Sequence, residues 1–156
     1  MRILHAAIAI AILCASSSAI GDKPRALVVI VAKGSKVTGL SRAELRRAFS
    51  GDAVVVDGDR LVPFNYTPGS PERVAFDRAI LGLSPEEVGR FWVDRKIRGE
   101  SQPPRALANA SLVIRIVARF PGAIGYIPAD QVTDDVVAVT VDGVPPSSPD
   151  YPIAIK

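Results

Sequence analysis

The stretch FNYTPGSPERVAFDRAIL, residues 64–81, places the end of a strand, a tight turn and a helix in immediate succession. Ser70 occupies the N-cap position, Pro71 the first helical position, and Glu72 adds a carboxylate to the first turn. Backbone N–H groups at a helix start, beside a hydroxyl group and a glycine, are a favourable place for a phosphate or carboxylate. The pattern leaves two interpretations open: the turn binds an anion, or it only begins a helix.

The residues before this stretch alternate between strand and helix signals. Residues 26–32, ALVVIVA, form a continuous β-branched run that predicts a buried strand. Ser41 and Glu44 have the spacing of a capping box, which predicts a short helix ending at Gly51. Asp57-Gly58 between two apolar runs indicates a hairpin, and Pro63 predicts that its second arm is an edge strand or a strand end.

After the stretch, the sequence predicts two further helices. The helix of residues 71–81 stops at Gly82, and we expect its inward side chains to be Val74, Ala75, Ala79 and Ile80. Ser84, Pro85 and Glu87 fit the N-cap, N1 and N3 positions of a second helix. Its buried stripe is predicted to contain Val88, Phe91, Trp92 and the aliphatic stem of Lys96.

The C-terminal third begins with an extended connector, residues 99–108, which contains two consecutive prolines. Asn109 can cap a following helix that is apolar on most sides, and we expect that helix to be central in the packing. Residues 123–127 and 136–141 predict strands, and Asp142-Gly143 a turn between the last strand and a proline-rich tail. Strands and helices alternate, so the fold class is α/β or α+β with one sheet.

The first 19 residues have the layout of a secretory signal peptide, with Arg2 before an apolar run of about a dozen residues and small residues at the cleavage point. Cleavage is the favoured interpretation, with a lipid anchor at Cys14 or a retained membrane segment as the alternative. The chain has a single cysteine (Cys14), a single histidine (His5) and a single methionine (Met1), all within this segment. We therefore expect one mature domain, residues 20–156, without a thiol nucleophile, an imidazole base, a soft-metal site or a cofactor.

The mild positive charge of the chain supports only a weak attraction for anions. The formal net charge is +3, and the basic residues are spread along the sequence without a run of five. Such a distribution favours solvated faces over a nucleic-acid or lipid surface, so we expect no nucleic-acid partner and no stable membrane insertion after cleavage. Carboxylate pairs at neighbouring positions point apart, and no acid–base pair indicates an enzyme.

Four segments, residues 27–51, 62–82, 121–127 and 141–153, together resemble the phosphate-binding-protein-like family, exported relatives of the substrate-binding components of phosphate ABC importers. The resemblance implies the type-2 periplasmic-binding-protein fold, in which two α/β lobes clamp a ligand. The chain matches one lobe, so the expected architecture is a single α/β lobe with a mixed sheet flanked by helices. A single lobe cannot enclose a ligand by closing.

The resemblance also implies a ligand turn, because the family carries an Arg-x-x-Gly-Ser-Gly-Thr pattern there. Gly69 and Ser70 match the Gly-Ser pair, whereas Tyr66 replaces the arginine, Pro71 the second glycine and Glu72 the threonine. These changes remove a charged fork and one N–H donor and add a carboxylate at the positive helix end. The expected anion-binding residues are Ser35, Gly69, Ser70 and Arg73.

Two functions remain open at this stage. The first is a periplasmic, non-enzymatic solute-binding-like protein for phosphate or a similar small oxyanion, with weak affinity and an ABC permease as partner. The second is a cell-envelope interaction module that has lost ligand binding and pairs with another envelope protein or with a second copy of itself. Neither function requires a metal.

Overall fold

The computed structural model describes residues 24–155, and the predicted signal peptide, residues 1–19, lies outside this range. Within it, the chain forms ten strands and four α-helices. The strands are β1 (Arg25–Ala32), β2 (Gly39–Leu40), β3 (Val55–Val56), β4 (Asp59–Arg60), β5 (Val62–Tyr66), β6 (Arg105–Leu107), β7 (Ala123–Pro128), β8 (Val136–Ala138), β9 (Thr140–Val141) and β10 (Ala154–Ile155). The helices are α1 (Arg42–Phe49), α2 (Pro71–Phe76), α3 (Pro85–Ile97) and α4 (Ala110–Val117). A π-helical turn, Asp77–Leu81, continues α2, and a short 3-10 helix, Ala129–Gln131, follows β7.

The main sheet has six strands in the order β10-β1-β7-β5-β6, with β8 also paired to β1. Strands β5, β6 and β7 run parallel, whereas β1 runs antiparallel to β7. The carboxyl ends of β5, β6 and β7 therefore lie at one edge of the sheet, and the carboxyl end of β1 lies at the opposite edge. We call these the β5 edge and the β1 edge.

Helices cover both faces of the sheet. A Cβ atom built on Gly125 of β7 would lie 2.6 Å from Val113 Cγ1, so α4 packs directly on that strand. The next residue, Tyr126, points to the other face because successive strand residues alternate. There its ring contacts Phe49 of α1 and Phe76 of α2. This is the predicted mixed sheet flanked by helices.

The structure confirms the local sequence signals. The ALVVIVA run lies inside β1, where Leu27, Val29 and Ile30 have no exposed surface. Asp57 and Gly58 connect β3 to β4 with positive φ angles of 51° and 88°. At the other end of the chain, Tyr151 and Ile153 of the proline-rich tail are buried.

The packing predictions for these segments held only in part. Pro63 is the second residue of β5, near a strand end as predicted, although β5 is an interior strand; β6 pairs with β5 only from Phe64 onward and requires no N–H from the proline. The connector 99–108 contains β6, which buries only Leu107. Helix α4 is amphipathic, with Ser111 and Arg115 exposed, so it covers the sheet from one side.

The inward side chains of the helices also differ from the prediction. In α2 and its π-helical turn the fully buried residues include Arg73, Phe76 and Asp77, whereas Val74, Ala75 and Ala79 are only half-buried. Ile80 is buried as expected. In α3 only Val88 of the predicted stripe is buried; Phe91 and Trp92 are half-buried, and Lys96 is exposed.

Both capping boxes form as predicted, and the second one gives a pH prediction. The Ser84 N–H donates to the Glu87 carboxylate at 2.7 Å, and this bond is the main reason that the pKa of Glu87 is lowered from its ordinary 4.5. A lowered pKa in the folded state adds stability above the unfolded pKa, and this contribution is lost as the pH falls through the folded pKa. We therefore expect Glu87→Gln to be less stable than wild type at pH 7 in urea unfolding, with the difference vanishing in acid. A difference that does not depend on pH would contradict the capping role.

Candidate functional site

The predicted ligand turn lies at the β5 edge, between β5 and α2. Gly69 is exposed at φ 85°, and a Cβ atom there would meet no atom within 4 Å. Thr67 N–H donates to Leu107 O at 3.2 Å, which holds the turn against the end of β6, where Asn109 caps α4. The starts of α2 and α4 therefore lie side by side at one edge of the sheet.

The turn completes most of its own hydrogen bonds. Ser70 Oγ accepts from the Arg73 N–H at 3.3 Å, and the Ser70 N–H donates to Thr67 O at 3.2 Å. Pro71 has no N–H to offer. The backbone N–H groups of Gly69 and Glu72 form no hydrogen bond within residues 24–155, so these two groups and the Ser70 hydroxyl are the donors left for a ligand.

The four residues that the sequence assigned to the anion do not come together. Gly69 and Ser70 are adjacent at the β5 edge. Ser35 follows β1 and lies at the β1 edge, where its hydroxyl accepts from the Val37 N–H at 3.1 Å. Val28 pairs with Ile127 near the carboxyl end of β7, whereas Ala32 ends β1 at the opposite edge. The four residues of strand between Val28 and Ala32 span about 13 Å. This corrects the predicted site, since antiparallel pairing of β1 moves Ser35 away from the turn.

Arg73 is the second correction. Its side chain is only 6% exposed, and its Nε donates to Asp77 Oδ2 at 2.6 Å, one helical turn further on. A second guanidinium nitrogen, Nη1, donates to the Tyr66 carbonyl oxygen at 3.1 Å. The positive charge of Arg73, which was expected to attract an anion to the turn, is therefore paired with the buried Asp77 carboxylate.

The sequence analysis missed a buried polar cluster, which consists of Asn65, Tyr66, Arg73, Asp77 and Tyr126. The Tyr126 hydroxyl donates to Asn65 Oδ1, and the rings of Tyr66 and Tyr126 lie 5.3 Å apart. Asn65, Arg73 and Asp77 are the buried polar residues of the described chain. The one available sequence signal was the i, i+4 spacing of Arg73 and Asp77, which is equally common on solvent-exposed helix faces.

Burial dominates the electrostatics of this cluster. Desolvation raises the pKa of Asp77 above its ordinary 3.8, and the charge and hydrogen bond of Arg73 offset only part of that rise. Burial likewise raises the pKa of both Tyr66 and Tyr126 well above 10. Both phenols are therefore neutral at physiological pH.

A cavity of about 300 Å³ lies beside the turn and the buried polar cluster. Gly69, Arg73, Asp77 and Trp92 are among the residues that line it. Asp77 Oδ1 and Trp92 Nε1 are buried and have no hydrogen-bond partner among residues 24–155. A larger cavity, of about 610 Å³, lies away from the turn, next to Leu61, Phe64 and Phe120.

The described residues offer no arrangement for metal binding and no membrane-crossing helix. Within residues 24–155, no three His, Cys, Asp or Glu side chains are grouped closely enough to hold a metal ion. None of the helices in the same range is both long and apolar enough to cross a membrane.

Comparison with known proteins relates the fold to phosphate-binding proteins. The chain is similar to an ABC-type phosphate transport receptor from Vibrio cholerae, with a TM-score of 0.66 and 17% identity over 84% of this chain and 54% of the receptor. It is also similar to a putative phosphate ABC transporter substrate-binding protein with bound phosphate from Clostridium perfringens, with a TM-score of 0.66 and 22% identity over 84% of this chain and 53% of that one. PstS from Borrelia burgdorferi gives a TM-score of 0.61 and 16% identity over 85% and 55% of the two chains.

The chain spans about half the length of these solved structures. No protein-family profile and no curated protein sequence matches it. At these identities the likeness concerns the fold alone.

Proposed function

Because the chain has a phosphate-binding-protein-like fold, we propose that it is a periplasmic, non-enzymatic solute-binding-like protein that takes phosphate or a similar small oxyanion at the Gly69–Ser70 turn. The observation that carries the proposal is the exposed turn itself. Two unbonded N–H groups and a hydroxyl lie there beside the start of α2, and the start of α4 lies next to it. One structure with the same fold contains bound phosphate.

The same geometry limits the affinity. Two N–H groups and a hydroxyl provide a few charge-assisted hydrogen bonds of about 1.5–3 kcal/mol each, and immobilising the ion offsets part of that gain. The Glu72 carboxylate beside the turn repels an anion, and Arg73 is engaged with Asp77. We therefore expect a Kd between about 0.1 and 10 mM, which corresponds to a free energy near −4 kcal/mol.

Titration calorimetry with inorganic phosphate tests this proposal, with two variants at the turn. Pro71→Ala adds one backbone N–H at the helix start and is expected to strengthen binding about tenfold, the worth of one charge-assisted hydrogen bond. Ser70→Ala removes the hydroxyl and the helix cap and is expected to weaken binding about tenfold. Ser35→Ala is the matched control and should leave the Kd unchanged, because Ser35 lies at the β1 edge.

A sub-micromolar Kd for the wild-type chain would contradict the expected affinity. If neither the wild type nor any of the three variants binds phosphate at 20 mM, the turn is not the anion site. The same conclusion follows if Ser35→Ala weakens phosphate binding as much as Ser70→Ala does.

The alternative function is an envelope interaction module without a ligand. It is favoured by the completeness of the helix start, in which Ser70 caps α2 and Arg73 is neutralised by Asp77. Under the first function the partner is an ABC permease, and under the second it is another envelope protein or a second copy of this chain. Recovery of a specific partner from envelope extract by a protein that shows no phosphate binding would support the module.

A further inference from the structure

The larger cavity, of about 610 Å³, lies towards the β1 edge, at the opposite end of the sheet from the ligand turn. Its lining includes Val62 and Arg105, the first residues of β5 and β6. Because these two strands run parallel and end at the β5 edge, their first residues lie at the β1 edge. The volume is within the range found for small-molecule sites. We call this space the basal cavity.

The wall of the basal cavity is mainly apolar. Its large apolar lining residues are Leu61, Val62, Pro63, Phe64, Ile116 and Phe120. Phe120 is 55% exposed and Val62 is 43% exposed. Apolar surface that is grouped in a concavity and edged by polar residues is typical of a binding site. A molecule with an apolar body would remove this surface from water.

Two arginines border the apolar wall. Arg105 pairs in register with Phe64 in the parallel ladder of β5 and β6, so the two side chains leave the sheet on the same face. Arg60 precedes β5, and its carbonyl oxygen would lie 2.1 Å from a Cβ atom built on Gly122. This close approach holds Arg60 beside the loop that follows Phe120. Both arginines line the cavity and are exposed, so a ligand can reach them.

The lining carries an excess of positive charge. Neither Arg60 nor Arg105 forms a salt bridge with any carboxylate of residues 24–155. The acidic lining residue, Asp52, is already contacted by Arg95 at 3.3 Å and by Arg47 at 3.9 Å. A guanidinium group donates two parallel hydrogen bonds to a carboxylate. The charge of the cavity therefore favours an anionic ligand.

We propose that the basal cavity binds a small organic carboxylate with an aromatic or aliphatic body. The body contacts Phe64, Ile116 and Phe120, and the carboxylate accepts hydrogen bonds from the guanidinium groups of Arg60 and Arg105. An uncharged analogue gains only the apolar contact, and an inorganic oxyanion gains only the charge. This site is independent of the oxyanion function at the ligand turn.

Titration calorimetry with 2-naphthoate and 2-naphthamide tests the proposal, because the two probes have the same shape and differ in charge. We expect 2-naphthoate to bind with a Kd of about 0.1–1 mM, and 2-naphthamide to bind about fivefold more weakly. Ser70→Ala removes a donor from the ligand turn. It should leave the Kd for 2-naphthoate unchanged, because the turn lies at the other edge of the sheet.

The arginines are tested one at a time. Arg60→Gln and Arg105→Gln are each expected to weaken 2-naphthoate binding about threefold to fivefold, the usual worth of an exposed ion pair, and to leave 2-naphthamide binding unchanged. Arg78→Gln is the matched control. Arg78 is also exposed, forms no salt bridge within residues 24–155 and lies outside the basal cavity, so its loss should affect neither probe.

The apolar wall is tested at Phe120. Phe120→Ala is expected to weaken the binding of both probes about fivefold, because the body of each probe loses an aromatic contact. Val137→Ala is the matched control, since Val137 is 44% exposed and lies on β8, outside the cavity. It should bind both probes as wild type does.

Four results would overturn the proposal. They are equal affinities for the two probes, an equal effect of Arg105→Gln and Arg78→Gln, an equal effect of Phe120→Ala and Val137→Ala, or no 2-naphthoate binding at concentrations up to about 10 mM. Loss of 2-naphthoate binding in Ser70→Ala would place the probe at the ligand turn and would also overturn it. A protein that binds phosphate but not 2-naphthoate contradicts only the basal site.

Discussion

Replacing Arg73 with methionine is expected to lower the free energy of unfolding by about 3–5 kcal/mol, the usual cost of removing one partner from a buried ion pair. The reason is that Asp77, whose side chain is 4% exposed, would then be a buried carboxylate without a counter-charge. The Tyr66 carbonyl oxygen would also lose a donor. Urea unfolding at pH 7, followed by far-UV circular dichroism, measures the loss.

The double variant Arg73→Met/Asp77→Leu is the control for this prediction. It removes both charges and fills the space with side chains of similar volume, so it is expected to lie within about 1 kcal/mol of wild type or to be more stable. This expectation agrees with the raised pKa of Asp77, which shows that burial outweighs the stabilisation that Arg73 provides. If the double variant is as unstable as Arg73→Met, the loss comes from packing and not from the unpaired charge.

The same pair carries a pH signature. A carboxyl group whose pKa is raised in the folded state binds its proton more tightly there than in the unfolded chain, so its contribution to stability increases as the pH falls through the folded pKa. In Arg73→Met, nothing offsets the effect of burial on Asp77. The deficit of this variant should therefore narrow as the pH is lowered from 7 towards the ordinary pKa of 3.8.

Phe76→Ala is expected to cost about 3–5 kcal/mol, because it opens a cavity at the centre of the aromatic packing. The Phe76 side chain has no exposed surface. Its ring stacks on Tyr126 with centroids 3.9 Å apart and lies 4.5 Å from Phe49. Truncation removes contacts on both sides, and urea unfolding measures the loss of stability.

Phe120→Ala is the matched control for Phe76. The same change is made at a ring that is 55% exposed, so we expect a loss below about 1 kcal/mol. If the two variants lose similar stability, the stacked ring pair is not the centre of the core. Near-UV circular dichroism of Phe76→Ala should also lose tyrosine signal, since Tyr126 would lose its stacking partner.

The features that could be predicted from the sequence depend on neighbouring residues along the chain. The two capping boxes, at Ser41 and at Ser84, formed as expected because a helix start is decided within four residues. The helical segment that begins with α2 ends at Gly82, which adopts φ 72°, and this end too is decided by the residues next to it. Similarly, β1 was recognisable because a strand buried on both faces needs an uninterrupted apolar run.

The features that were missed depend on partners distant in the sequence. Ser35 follows a strand, as the resemblance to the family implied. Its distance from the ligand turn is set by the antiparallel pairing of β1 with β7, and no local sequence pattern encodes that pairing. Strand β6 was missed because an edge strand that buries only Leu107 has no apolar alternation.

The buried polar cluster shows the limit of helical periodicity. Arg73 and Asp77 face inward because they neutralise each other, and hydropathy assigns both residues to solvent. The π-helical turn that begins at Asp77 also affects the prediction of buried residues, because it rotates the side chains that follow it relative to a regular α-helix. The turn after β5 forms where the sequence placed it, while Arg73 and Asp77 lie on the buried side of α2. Anion binding at this turn stays a prediction.

The pairing of β10 with β1 has a consequence for engineering. Arg25 lies opposite Ile155 and Ala26 opposite Ala154, so the described chain enters and leaves the fold at neighbouring points. A segment that begins and ends at neighbouring points can be spliced into a surface loop of a host protein without stretching either one, and residues 25–155 meet this condition. Strand β10 pairs with β1 over two residue pairs and β7 over five, so tension applied through a host is expected to separate β10 before it disturbs the β1–β7 ladder.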